Sequence, residues 1–140
     1  MRLKLLILSF APLLVAGVMP RASTADMPRN DITRQLLAKE ALPNIPGHAL
    51  TAVTVQLAPG NISPAHKHET FVYVYVLEGR VRSQLGNAKP VEYTAGESWV
   101  EPPGIVHTLT QNPSKTKSTK LLAIFVGKDT AKLTTSGQIN

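Results

Sequence analysis

The chain of 140 residues contains no cysteine. That absence excludes disulfide bracing and the lipid-modified cysteine of a lipoprotein, so the fold must be held by its core alone. Nor is there an apolar run long enough to span a bilayer: the stretch 5–18 is interrupted by Pro12 and falls short of the ~20 residues a helical span needs. With Arg2 and Lys4 before it and Ser23, Thr24 and Ala25 after it, residues 1–25 read as a secretory signal cut after Ala25. The expected location is secreted or periplasmic, with no stable membrane anchor.

A strong basic surface is also lacking. Arg2, Lys4 and Arg21 have no acid among them, so removal of the signal reduces the formal charge from +6 to +3. Lys115, Lys117 and Lys120 lie in a Ser/Thr-rich stretch that reads as a solvated turn. No stripe of arginine and aromatic residues accompanies them, which argues against a nucleic-acid partner.

What is present is a series of short β patterns. The length suits one domain. Residues 26–48 read as a lead followed by one short helix over 31–42, where Ile32, Leu36, Leu37 and Leu42 fall at near-helical spacing, Asp31 is available as a cap, and Pro43 and Pro46 follow. Residues 49–127 then show strands at 50–57, 71–77, 80–85, 90–93, 98–101, 105–110 and 120–126, separated by Gly, Pro and Asn. Many short strands at regular intervals predict an all-β antiparallel sandwich or barrel. Residues 128–140 read as a polar, frayed tail.

The chemistry concentrates in three histidines. His66 and His68 are separated by Lys67 alone, so on an extended strand they share a face, and His107 follows the Pro102-Pro103-Gly104 corner. Neutral imidazole is the commonest protein ligand of transition metals. His66, His68 and His107 are therefore the candidate metal ligands. His48 lies apart from them and reads as a turn residue.

Gly60, five residues, His66-Lys67-His68 and the closing Gly79 resemble the first motif of the cupins, and Gly96, five residues, Pro102-Pro103-Gly104, two residues and His107 resemble the second. The resemblance spans about 50–126 and implies a single-domain cupin, similar to quercetinase-like small cupins. It also implies a double-stranded β-helix, or jelly roll, with a divalent transition metal (Fe, Mn, Ni, Cu or Zn) at the barrel mouth, and a homodimer. The family's carboxylate position, four residues after the second His, holds Val72, and Gln111 stands where Asn is common. Glu69 lies on the opposite strand face from His66 and His68. Three neutral imidazoles would leave the dication uncompensated, so the expected ligand is a small bidentate anion.

The remaining candidates receive ordinary explanations. Val72, Val74 and Val76 share one face and should dry the mouth, while Phe71, Tyr73 and Tyr75 on the other should pack between sheets or against the short helix, with a dimer surface as the functional alternative. Trp99 is expected in the core, and Glu97 and Glu101 in turns or at the surface. Arg82 and Gln84 share a face expected to meet solvent; were it to line the barrel, Arg82 would suit an anionic substrate group and Gln84 the missing ligand position. Functionally, an Fe(II)-type dioxygenase or related enzyme acting on a small anionic molecule competes with a non-catalytic metal- or ligand-binding module, and no catalytic residue is separately identified.

Overall fold

The computed structural model describes residues 32–137, so the signal segment and Asp31 lie outside the described residues. Eleven strands make up the architecture: β1 (Ile32–Ala41), β2 (His48–Leu57), β3 (Ile62–Ser63), β4 (His66–Lys67), β5 (Phe71–Glu78), β6 (Arg80–Leu85), β7 (Val91–Thr94), β8 (Ser98–Glu101), β9 (Val106–Gln111), β10 (Thr119–Lys128) and β11 (Thr135–Ser136). One sheet runs β1-β2-β10-β5-β8, the other β11-β4-β9-β6-β7 with β3 also paired to β9. All pairings are antiparallel.

The short helix over 31–42 is not formed. Its described part is β1, which pairs with β2 from Ile32 opposite Leu57 to Ala41 opposite Ala49, with a bulge between Leu36 and Ala38. The segment is rich in Leu, Ala, Lys, Glu, Gln and Arg, so its intrinsic propensity favours helix. That preference amounts to only tenths of a kcal/mol per residue, and the open edge of β2 offers a full ladder of backbone partners. Tertiary pairing wins.

Alternation on the central strands builds the core. Val72, Val74 and Val76 of β5, Leu121, Ala123 and Phe125 of β10, and Leu57, Val81 and Trp99 are all buried. Each large apolar side chain among them contributes roughly 1.5–3 kcal/mol through removal from water. The period of two sends Phe71 and Tyr73 to the other side of β5, where they are 40% and 37% exposed. They occupy an outer sheet face and not an intersheet contact, because the barrel interior is already filled by the valines and no helix is present among the described residues to cover them.

Gly79 makes the tight passage from β5 to β6. Its φ is +77°, and a Cβ there would come within 2.9 Å of the Ser118 carbonyl oxygen. Gly79→Ala is expected to lower stability by about 2–4 kcal/mol, from left-handed backbone strain added to steric overlap, measured by urea unfolding.

Candidate metal centre

Strand register brings the histidines together. On β4 and β9, His66 lies directly opposite His107. Their ring centroids are 5.1 Å apart, and His68 lies 5.0 Å from His66. A backbone carbonyl can only accept, so a ring nitrogen facing one must carry the hydrogen. His66 Nδ1 donates to the Pro64 carbonyl at 2.8 Å, and His68 Nδ1 donates to the Leu133 carbonyl. His66 therefore presents an Nε2 lone pair, and the same Nδ1 anchoring turns the Nε2 of His68 inward, the arrangement that orients metal-binding imidazoles. Burial, with the neighbouring His107 and His68 rings reinforcing it, holds the His66 pKa below its ordinary value, so His66 is neutral at neutral pH.

The carboxylate that Val72 does not supply comes from Glu101. On the paired strands β5 and β8, Glu101 is the direct register partner of Val72. It is 1% exposed. Its Oε1 accepts from Trp99 Nε1 at 2.9 Å and from His107 Nδ1 at 3.0 Å. Its Oε2 lies 3.2 Å from His68 Nε2, an ion pair when that ring is protonated. Burial pushes this carboxyl toward protonation, but His107, His68 and Trp99 outweigh it and hold the group far below the usual carboxylate range. The expectation of a surface Glu101 is thereby corrected: β8 alternates, so Glu101 follows Trp99 onto the buried face.

The donor set fits a divalent metal. Two ligands about 2.0–2.1 Å from one ion, at tetrahedral or octahedral angles, are roughly 2.9–3.4 Å from each other, which brackets the contact between Glu101 and His68. Rings bound through nitrogen to one ion have centroids roughly 4.5–5.3 Å apart, which brackets the histidine spacings. Among the described residues, no three such side chains already surround one ion position. His107 has both nitrogens on protein partners, since Ser83 Oγ lies 2.8 Å from Nε2 and Thr110 Oγ1 lies 3.1 Å from it.

Other candidates fall outside the centre. Arg82 is exposed and meets Glu92 at 3.5 Å, and Gln84 donates to the Gly86 carbonyl. Glu69 accepts from the Lys132 backbone, Glu97 from Thr94, and the His48 ring faces the Pro46 carbonyl. The amide that matters near the second motif is Asn112 and not Gln111: fully buried, it donates to the carbonyls of Leu57, Ala58 and Lys117. The described part of the tail after β10, residues 129–137, is not frayed. It places β11 beside β4, and Gly137 packs so closely on the His66 backbone that a Cβ would lie 2.9 Å from it.

Residues 53–125 match the family described as Cupin domain. The chain belongs to the cupin family. No curated protein matches it. Among solved structures, a cupin 2 conserved barrel domain protein from Rhodopseudomonas palustris is similar at 20% identity and a TM-score of 0.60, over 86% of this chain and 76% of that one. An uncharacterized protein with a double-stranded β-helix domain from Klebsiella pneumoniae is similar at 18% identity and 0.60, over 84% and 90%. The DMSP lyase DddQ from Ruegeria pomeroyi gives 21% and 0.55 over 62% of this cupin, which spans only 42% of the lyase. These likenesses carry the fold.

Glu101→Gln is expected to destabilise the metal-free cupin by about 1–3 kcal/mol at pH 7. Because the folded carboxyl titrates below the ordinary value of 4.5, wild type holds its advantage above that pH and loses it as pH falls toward the folded value. Urea midpoints across pH 3–7 check both the size and the direction.

Proposed function

We propose that this cupin takes one divalent transition metal on His66, His68, His107 and Glu101 and acts on a small oxygen-donor molecule as an Fe(II)-type dioxygenase or related enzyme. The contact between Glu101 Oε2 and His68 Nε2 carries the reading. With the His68 ring neutral these are two lone-pair atoms at 3.2 Å in a buried site, which a metal cation would join in place of the proton that otherwise pairs them. His107 joins the set by releasing a protein hydrogen bond. Imidazole and carboxylate suit Fe, Mn, Ni, Cu and Zn alike.

When bound, the metal supplies Lewis acidity and open positions that bring reactants together. Val72, Val74 and Phe125 line the same cavity and exclude water. Glu101, held so far below neutrality, remains an anion and is a poor proton acceptor. Its charge leaves the centre one unit positive, a weaker pull on anions than three imidazoles alone would give. A lyase and an oxalate decarboxylase from Bacillus subtilis share the fold, which supports enzymatic use of such a barrel. A non-catalytic binding module is the second reading. It is favoured by one observation: among the described residues, the ionisable side chains lining the cavity are the proposed ligands and Arg34.

Elemental analysis of the purified protein is expected to find about one metal per chain, with His66→Ala and Glu101→Ala each weakening binding at least tenfold. Unchanged metal content in both variants overturns the assignment. Oxygen uptake by the iron-loaded protein with flavonols, diketones or catechols supports the oxygenase, and silence with metal retained supports the binder. Export is part of the same proposal, and N-terminal sequencing of the mature protein is expected to begin at Asp26. The outer row of Val100, Tyr73 and Ile124 is offered for a homodimer, which sedimentation checks.

A further inference from the structure

The cavity behind the histidines has a volume of about 120 Å³ and an almost wholly apolar wall. An apolar cavity of roughly 150 Å³ is enough to hold benzene, so this one suits a body of about one small ring or a short branched chain. Among the described residues, Arg34 is the Lys or Arg side chain that lines it. Arg34 borders this cavity and also the open groove beside His66 and Thr134 that leads to solvent.

Strand register explains its placement. Arg34 pairs with Val55, Val55 with Leu121, and Leu121 with Val76, so the arginine begins an inward-facing row whose other members line the cavity or are buried. Residues paired across a sheet project to one side. Arg34 remains exposed at the β1 edge, as Arg80 and Arg82 do on β6, but those two meet Glu92. Arg34 makes no ion pair or side-chain hydrogen bond among the described residues. A guanidinium offers a planar fork of donors that matches a carboxylate.

We infer that Arg34 is a second anchor of the cavity, holding the carboxylate of a small ligand whose apolar body lies along the barrel wall toward the histidines. The ligand class is a compact monocarboxylate, its acid at the β1 edge and its other end at the centre. Only what that other end meets rests on the metal proposal. The anchoring by Arg34 does not.

Benzoate and its neutral counterpart benzamide, titrated into the metal-free full chain by ligand-observed NMR or calorimetry, separate charge recognition from cavity filling. Wild type is expected to bind benzoate about tenfold more tightly than benzamide. Arg34→Gln should bring that ratio near one with benzamide affinity unchanged, and Arg34→Lys should retain part of it. The same preference in wild type and Arg34→Gln, or none in wild type, overturns the inference and leaves Arg34 as a charge that blunts an edge strand. Zn2+ binding is measured in parallel. Absence of Zn2+ binding with an Arg34-dependent benzoate preference defeats the metal proposal alone, whereas Zn2+ binding without that preference defeats this inference alone.

Discussion

The carboxylate of Glu101, closed between two imidazoles inside an apolar barrel, is the contact on which the candidate site depends. It is a charge at 1% exposure, and it persists there because Trp99 and His107 satisfy one oxygen while His68 faces the other. Each partner comes from a different constraint. Trp99 and Glu101 are fixed by the alternation of β8, His107 by its register against His66, and His68 by the carbonyl of Leu133. Apolar neighbours make an unpaired group costly, so the polar network and the dry wall require each other.

Val72 and Glu101, register partners on β5 and β8, show how either of two paired strands can set the side chain at one position of a barrel wall. Residues directly opposite on paired strands have Cβ atoms about 5 Å apart and project to the same side. Moving an acid from one to the other shifts its strand and not its neighbourhood. Val72 forms part of the hydrophobic wall, and the carboxylate on β8 has the Trp99 indole as its donor.

The all-β barrel, its strands and the convergence of the histidine segments were readable from the sequence, since period-two alternation and turn glycines are local signals. Glu101 was readable too, but only by carrying the alternation through. A buried Trp99 two residues before it places it on the same face, and the habit of assigning acids to the surface obscured that implication. β1 was not readable, because its residues prefer helix and only the vacant edge of β2, remote in sequence, makes it a strand. The Leu133 carbonyl was equally hidden, since no side-chain pattern announces a backbone oxygen that meets a histidine 65 positions earlier. Asn112 next to Pro113 did carry a turn signal, one residue beyond the motif position that drew attention to Gln111.

The same carbonyl bears on the order in which the protein is completed. His68 leaves the ribosome well before Leu133, so the ring that faces Glu101 cannot settle into its final tautomer until nearly the whole polypeptide has been made. A polar network built this way cannot be finished during synthesis of its histidine motifs. Whatever the cavity comes to hold is therefore met only after the last segment has docked, in the fluid that surrounds the finished chain.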